Sequence, residues 1–518
     1  MKRTGSARRP VGGWSTALAA SLCANPAHLA AQCPDGTPPP CRAQPARVAT
    51  PTASNSVAVL YFDNLSPDTM DLYLADGLTE ELITRLGTVE RLRVKSRAAV
   101  ARYRRVPGDP LAFGRALGVA LIVNGSVRRG GGRIRATVEL VRTSSGDRVW
   151  GDYYDRGEAD FIAIEEDIAR RVATAIAGRL LPGERAALAV RPTRDPVAYD
   201  HFVKGNYYLA QRTAHAVARA IDEYQAAVRQ DPIFTQALAR TAYAYALFLD
   251  WGWEYPGVSP DTLLRRGVVA VDRALQLDST ASDSWMARAY LLAQGNPHSL
   301  TAAREAFVRA ITLDSGNAEA YHQYGSILGA LGEDSAAAAA YGRALALDPD
   351  RLITLFQLGA LRAIQRRYHE AFQWLDSALR VEPGFAYGYA VRALEHVILG
   401  DTAQALADAE LAVQLGAGYP GEASLAVVES GEGDTVGASA RIEKVLRGGV
   451  DSLRPDPTEG VFLGGALVAL NQPERAIAFL ERVRPRGWGL WYLLRLAAFD
   501  PVRSHPRFQR LVEEARPK

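Results

Sequence analysis

The sequence contains little cysteine and little lysine. All three cysteines fall within the first 41 of 518 residues, so the rest of the chain has no thiol for a zinc cluster or for nucleophilic catalysis. Only five of the 60 basic residues are lysine, and the formal net charge of +3 is small for this length. The arginine bias indicates GC-rich coding, and the charge balance predicts no nucleic-acid partner.

Motifs for catalysis and cofactor binding are also missing from the sequence. It contains no His-Glu-x-x-His pair and no Gly-x-Ser-x-Gly elbow, and the run Gly130–Gly132 lacks the Gly-Lys-Ser/Thr ending of a phosphate loop. We therefore expect no catalytic residues, no cofactor and no metal site. The pairs His369-Glu370 and Glu395-His396 fall in different predicted helices, and we expect both pairs on the surface.

The first 55 residues differ in composition from the rest. Four basic residues precede a modest apolar stretch, Trp14–Ala24, and then small residues, which is the order of a secretory signal. The stretch is too short to predict a membrane span. We expect a signal peptide at 1–31, a Pro- and Ala-rich linker at 32–55, and no transmembrane span in the mature chain. Cys33 and Cys41 then remain, either as a disulfide or as two free thiols.

Residues 56–182 predict a compact α/β domain. Val57–Phe62 is a short apolar run typical of a buried strand, and Leu72–Leu86 carries an apolar helical stripe. The two segments that flank Gly130–Gly132 alternate apolar with polar residues, which predicts a β-hairpin. With the remaining segments, the predicted order is β-α-β-α-β-β-β-α.

This region resembles a known bacterial domain. The similar segments are Ser56–Leu65, Leu74–Leu82, Leu117–Val119, Asn124–Arg128 and Val149–Asp155. They resemble the amino-terminal α/β domain of the TolB type, which is related to the FlgO family. The resemblance implies a domain that precedes tetratricopeptide repeats and follows a winged-helix domain, a nucleotidyl cyclase or a protein kinase. Because only 55 residues precede Ser56, we expect none of those front modules and none of their activities.

Small residues recur with a period of 34 in the second part of the chain. The recurring positions are Gly325, Gly359 and Ala393, and Ala337, Ala371 and Ala405. This period is the signature of tetratricopeptide repeats, in which small residues lie where paired helices approach closely. We predict six to eight repeats over 195–518, ending in capping helices. The predicted fold class is α+β, a small α/β amino-terminal domain followed by an all-α tetratricopeptide solenoid.

The inner wall of such a solenoid is formed by the first helix of each repeat. By resemblance to the family, the side chains that face the groove are Tyr199, Phe202, Asn206, Met286, Tyr290, His322, Phe356 and Tyr387, followed by Leu394. They predict an apolar, aromatic-rich groove for an extended or helical peptide. The alternative is that several of them pack against a neighbouring repeat or the α/β domain. The family's basic clamp for a peptide carboxylate is not visible at these positions.

An insert between two predicted helices carries three aromatic residues, Trp251, Trp253 and Tyr255. Exposed aromatics of this kind are typical of a contact with carbohydrate or peptide. The alternative is a long loop that packs onto the edge of the solenoid.

These patterns favour a binding protein. The leading hypothesis is a non-enzymatic scaffold in the periplasm or at the envelope that holds a protein or peptide ligand in its groove. One alternative is a cytoplasmic regulatory protein that relays to a separately encoded kinase, cyclase or transcription factor. Another is an enzyme of an unrecognised type. The sequence leaves open the partner's identity, any ligand of the α/β domain and the oligomeric state.

Overall fold

A computed structural model describes residues 53–517 except 105, 107, 296–298, 449–456 and 484–487. The predicted signal peptide, most of the predicted linker, and Cys33 and Cys41 lie outside the described residues. From Ala53 onward the described residues belong to one compact unit. Within these residues, no helix is both long enough and apolar enough to cross a membrane.

Six strands in the described part of the chain form one mixed sheet. They are β1 (Ser56–Val59), β2 (Asp63–Asn64), β3 (Arg93–Val94), β4 (Leu121–Gly130), β5 (Arg133–Arg142) and β6 (Arg148–Gly157). The order across the sheet is β3-β1-β4-β5-β6, and β2 also pairs with β4. Strand β1 is parallel to β3 and β4, whereas β4, β5 and β6 are antiparallel. The predicted hairpin is confirmed, with Gly131 and Gly132 at positive φ in its two-residue turn.

Five helices accompany the sheet. They are α1 (Leu72–Gly87), α2 (Arg97–Ala101), α3 (Pro110–Ala116), α4 (Phe161–Ala177) and α5 (Pro182–Leu188). The apolar stripe of α1 and that of α4 are buried against one face of the sheet, and α2 and α3 contribute to a smaller core on the other. The predicted order β-α-β-α-β-β-β-α is confirmed, and the structure adds β2, α2 and α5 to it.

Eight helix pairs follow in the described residues. They are α6 (Pro196–Leu209) with α7 (Ala214–Gln230), α8 (Thr235–Asp250) with α9 (Pro260–Leu277), α10 (Ser282–Gly295) with α11 (Leu300–Leu313), α12 (Ala318–Ala330) with α13 (Asp334–Leu347), α14 (Leu352–Ile364) with α15 (Tyr368–Val381), α16 (Ala386–Leu399) with α17 (Thr402–Gln414), α18 (Tyr419–Glu432) with α19 (Thr435–Arg447), and α20 (Pro457–Ala469) with α21 (Pro473–Leu480). The last described elements are α22 (Trp488–Leu493), a 3₁₀ turn (Ala497–Val502) and α23 (Pro506–Ala515). Two of these are the helices expected to cap the solenoid.

Small residues lie where the paired helices approach, as the 34-residue period predicts. A Cβ on Gly325 would lie 2.7 Å from the ring of Tyr341, so only glycine allows α12 and α13 to pack this closely. The predicted small-to-large packing of the central repeats is therefore present in the structure.

The α/β region and the first helix pair share one hydrophobic core. Helix α1 packs on α6, and Val203 of α6 is buried beside Gly77 of α1. Helix α5 begins where the predicted domain 56–182 ends. The bounds 56–182 and 195–518 stay predictions, because the described residues form one compact unit across them.

Candidate ligand-binding cavity

The inner face of the solenoid encloses a cavity of about 2340 Å³. The first helices of seven successive pairs, from α8 to α20, contribute to its wall. This arrangement follows from the repeat geometry, in which the first helix of every pair lies on the concave side. Ordinary small-molecule pockets span roughly 300–1,000 Å³, so this volume is large enough for a polypeptide segment.

The C-terminal segment closes the cavity on one side. Helix α22 packs on α12. Just after α22, Arg495 donates two hydrogen bonds to the carboxylate of Asp334, at 3.1 and 2.6 Å. Arg366 donates to Asp500 at 2.7 Å and to the main-chain carbonyl of Arg495 at 3.1 Å. Helix α22 and the segment after it thus return to the middle repeats, and the 3₁₀ turn before α23 lines the cavity.

The aromatic insert after α8 folds back onto the solenoid. The rings of Trp253 and Tyr255 pack edge-to-face on Phe248, with ring centroids 5.5 and 5.2 Å away. Trp251 remains 45% exposed and lines the rim of the cavity. Two of the three aromatics therefore belong to a packed loop, and Trp251 is placed to contact a ligand.

Part of the predicted groove lines the cavity. The predicted residues found there are Tyr290, His322, Phe356 and Tyr387, together with Leu394. The Tyr290 hydroxyl donates to Asp250 at 2.6 Å. The ring of Tyr387 lies 5.2 Å from that of Phe356 and 5.4 Å from that of Phe462. Three helices, α14, α16 and α20, thus supply one aromatic wall.

The other predicted groove residues lie elsewhere. They are Tyr199, Phe202, Asn206 and Met286. Tyr199 is buried and donates to Glu165 of α4 at 2.6 Å, while Phe202 and Asn206 both contact Tyr224 of α7. Met286 is only 2% exposed and packs in the solenoid core. These four residues pack against a neighbouring helix or the α/β region instead of facing a groove, and α6 is covered by α1 and α4.

A buried ionic cluster lies at one end of the cavity. The Glu319 carboxylate pairs with Arg351 and lies 3.7 Å from Arg212. Burial opposes ionisation of Glu319, but the two guanidinium groups outweigh burial and hold its pKa well below the usual range. Burial, assisted by Arg351, lowers the pKa of His322 to about 3, so its imidazole is neutral and bonds Thr354 at 2.9 Å. Arg351 and Arg212 therefore share one carboxylate within the protein.

The cavity wall carries more acid than base. The six carboxylates and four arginines that line it are Asp250, Glu319, Asp348, Asp350, Glu382, Glu395, Arg102, Arg212, Arg351 and Arg380. Arg102 pairs with Asp350 at 2.8 Å. In the described part of the chain, no group of three or more His, Cys, Asp and Glu side chains is arranged to hold a metal ion. Acidic side chains thus outnumber basic ones on the wall, and burial raises the pKa of three of the acidic side chains, Asp250, Asp348 and Glu395.

The expectation that Glu395 and His396 lie on the surface is wrong. They are 5% and 8% exposed, and Glu395 lines the cavity. The 34-residue period could have located Glu395. Leu361 lies one period before Glu395 and Ile327 lies two periods before it, and both are buried. A carboxylate thus occupies an inward position that is apolar in two preceding repeats. His369, by contrast, is exposed as expected.

A comparison of the sequence with known protein families identifies one of the helix pairs. Residues 318–351 match the family model of the tetratricopeptide repeat. This stretch contains α12 and α13, so one helix pair of the solenoid matches a tetratricopeptide repeat. The described residues form a small sheet-containing region followed by a helical-repeat solenoid.

Similar proteins were found by sequence and by structure. A Rhizobium meliloti (strain 1021) protein named "Putative adenylate cyclase 3" is 33% identical over 211 residues, which are 41% of this chain, and the matched part spans 36% of that relative's length. The structure of yeast Tom70 is 15% identical, with 86% of each chain covered and a TM-score of 0.39. YrrB, described as a TPR protein with an unusual peptide-binding site, is 18% identical, with 37% of this chain and 92% of YrrB covered and a TM-score of 0.28.

Proposed function

We propose that this protein is a non-enzymatic scaffold that binds an extended or helical segment of a partner protein in the cavity. The observation that carries the proposal is the aromatic wall of Phe356, Tyr387 and Phe462, which faces a volume of about 2340 Å³. Aromatic anchors bury a large contact area with few rotatable bonds, and they dominate the binding energy of many interfaces. The tetratricopeptide fold supports a protein or peptide as the ligand.

Residues 56–182 are, in this proposal, a TolB-like domain that holds the first helix pair in place. The resemblance of five segments to that domain supports the assignment. Two contacts support a fixed junction, the Tyr199–Glu165 hydrogen bond of 2.6 Å and the close packing of Gly77 against Val203. A rigid junction would keep the end of the cavity closest to the α/β region preorganised. Preorganisation lowers the entropy cost of binding.

The proposed location is the periplasm or the envelope. The predicted signal peptide at 1–31 supports it. Fractionation of the source bacterium, followed by amino-terminal sequencing of the recovered protein, tests it. We expect a periplasmic or envelope protein that begins near residue 32. A cytoplasmic protein with its first 31 residues intact would overturn the location and leave the binding role to be tested separately.

The second candidate is a cytoplasmic regulatory protein that relays to a separately encoded kinase, cyclase or transcription factor. The observation that favours this candidate is the 33% identity to a relative named as an adenylate cyclase. Incubation of the purified chain with ATP and Mg²⁺, with cyclic AMP as the readout, tests the non-enzymatic part of the main proposal. We expect no cyclic AMP above the level of a protein-free control, and its formation would contradict a pure scaffold.

The binding role is tested by affinity capture with the full chain. The tagged protein and its variants Tyr387→Ala and Phe356→Ala are incubated under native conditions with an extract of the source bacterium, and captured proteins are identified by mass spectrometry. Each variant removes one ring of the aromatic wall. We expect both variants to lose the same partner.

Tyr153→Ala is the matched control, because Tyr153 is an exposed tyrosine on β6 and does not line the cavity. We expect this variant to capture the partner as the unchanged chain does. Thermal melting of all four proteins separates lost binding from lost folding. If Tyr387→Ala and Phe356→Ala are folded and keep every partner, the cavity is not the binding site.

A further inference from the structure

Glu395 is a buried carboxylate of the cavity wall that forms no ion pair with any described residue, unlike Asp348, which lies 3.7 Å from Arg351. Glu395 lies on the inner face of α16, and only 5% of its surface is exposed. Its buried Oε2 atom accepts no hydrogen bond from any described residue. Asp350 and Glu319, by comparison, each pair with an arginine. Glu395 is therefore a buried acid on the cavity wall with an unused hydrogen-bond acceptor.

The charged and titratable neighbours of Glu395 do not supply a donor to this atom. The nearby cation is Arg366, whose guanidinium donates to Asp500 and to the carbonyl of Arg495. Tyr368 is close enough for its pKa to be raised in part by Glu395. Burial raises the pKa of Glu395 itself to about 7, and Arg366 opposes that shift only in part.

Without a ligand, the unsatisfied oxygen of Glu395 lowers the stability of the folded protein. Burial of a carboxylate oxygen that lacks a hydrogen-bond donor is strongly unfavourable, and native proteins rarely retain it without a purpose. The equivalent positions one and two repeats earlier hold Leu361 and Ile327. These apolar side chains can be buried without the free-energy penalty of an unsatisfied oxygen. A donor brought by a ligand would remove the penalty, because a charge-assisted hydrogen bond in a buried site is strong.

We propose that Glu395 recognises an arginine or lysine side chain of the bound segment, an inference that rests on the proposed scaffold function. The cationic head pairs with the Glu395 carboxylate. The aliphatic stem lies along Val391 and Ile398, which share this face of α16 and also line the cavity. The Glu395 carboxylate also disfavours a peptide's free carboxylate end at this place, because like charges repel.

Peptide pools test this inference on the full chain. Four pools of fluorescein-labelled heptapeptides, acetylated and amidated at their ends, share the same random flanks and carry arginine, lysine, norleucine or glutamate in the centre. Binding is followed by fluorescence anisotropy. We expect the arginine and lysine pools to bind about tenfold more tightly than the norleucine pool, the scale of one charge-assisted hydrogen bond. Glu395→Gln should abolish this difference.

The outcomes separate the inference from the function on which it rests. Equal binding of the norleucine and arginine pools, or a basic preference that persists in Glu395→Gln, overturns recognition by Glu395 while peptide binding stands. No binding of any pool, or binding that Tyr387→Ala leaves unchanged, overturns both. Glu410→Gln, an exposed acid on α17, is the matched control and should keep the preference.

Thermal melting of the unliganded variants distinguishes recognition from a structural role. A carboxylate retained for folding would lower Tm when it is replaced. We expect Glu395→Gln to raise Tm at about pH 8, because it removes a buried charge with an unsatisfied oxygen in the unliganded protein. A lowered Tm at that pH would contradict the proposed role.

Discussion

Arg495 and Asp334 form a bidentate pair, with N–H···O distances of 3.1 and 2.6 Å, between residues 161 positions apart. Both side chains are about three-quarters buried or more, with 24% and 20% of their surfaces exposed. Bidentate arginine–carboxylate pairs combine two charge-assisted hydrogen bonds with a fixed geometry. This pair therefore fixes the segment after α22 to the start of α13 and keeps one side of the cavity closed.

Replacement of Arg495 by alanine should loosen this closure. We expect a loss of about 1–3 kcal/mol of unfolding free energy, because both hydrogen bonds to a charged group are removed. Amide hydrogen exchange should become faster in α22 and α23 and stay unchanged in α1. Arg516→Ala is the control, since Arg516 is 61% exposed and makes only a 3.9 Å pair with Glu513. Equal exchange in the two variants would show that the pair does not hold the segment.

Gly77→Ala should disturb the junction between α1 and α6. A Cβ on Gly77 would lie 2.3 Å from Cγ1 of Val203, so either the Val203 side chain or the two helices must shift. We expect a loss of about 1–3 kcal/mol in urea unfolding, the usual range for an overpacked core. Gly87→Ala is the control, because a Cβ at Gly87 meets no atom within 4 Å.

A double mutant completes this test. Val203→Ala removes the clashing methyl groups, so Gly77→Ala should cost less in that background than in the unchanged chain. Additive losses in the double mutant would show that the two residues do not compete for the same space.

Tyr199→Phe should weaken the buried contact between α6 and α4. The change removes the only hydroxyl that donates to Glu165 Oε2 among the described hydrogen bonds, and Glu165 Oε1 already has no described partner. Burial, together with the charge of Glu81, raises the pKa of Glu165 well above its usual range. We expect a loss of about 1–3 kcal/mol in unfolding free energy.

The matched control for this change is Tyr224→Phe. It removes a hydrogen bond of 2.8 Å to Asn206, whose side chain is partly exposed and can bond to water instead. The loss should be smaller, about 0.5–1.5 kcal/mol. If the two tyrosine variants unfold at the same urea concentration, the Glu165 contact adds no special stability.

The stability of the protein should depend on pH through Glu395. Its pKa is about 7 in the folded chain and near the ordinary 4.5 when unfolded, so the folded state binds more protons between these values. The contribution of this group to stability is therefore largest at low pH and falls as pH rises through this window. Glu395→Gln should be more stable than the unchanged chain at about pH 8, by on the order of 3 kcal/mol.

The difference between Glu395→Gln and the unchanged chain should disappear toward about pH 4, where the carboxyl is protonated in both states. Urea unfolding between about pH 4 and about pH 8 measures this difference in unfolding free energy. Glu410→Gln, on the exposed face of α17, should follow the unchanged chain at every pH. A pH-independent difference for Glu395→Gln would show that Glu395 does not titrate as its burial requires.

Local sequence patterns predict much of this fold. The alternation of apolar and polar residues around Gly131 and Gly132 predicts the β4–β5 hairpin, because strands bury every second side chain. The 34-residue period predicts the central helix pairs, because each repeat must place a small residue such as Gly325 against a large one such as Tyr341. The same period also predicts that Glu395 faces inward. The residues next to Glu395 in the sequence do not indicate this.

Local patterns predict the order of the elements, the 34-residue period and an aromatic inner wall that includes Phe356 and Tyr387. The folded chain adds two contacts that no such pattern predicts: α1 and α4 cover Tyr199, and Arg495 bonds to Asp334 at one side of the cavity. The first contact depends on how the α/β region packs on α6. The second depends on small rotations between successive helix pairs, which add up over the solenoid and bring distant residues together. No local sequence pattern contains this information. The buried side of a helix is therefore predictable from the sequence, whereas the element that packs against that side is not.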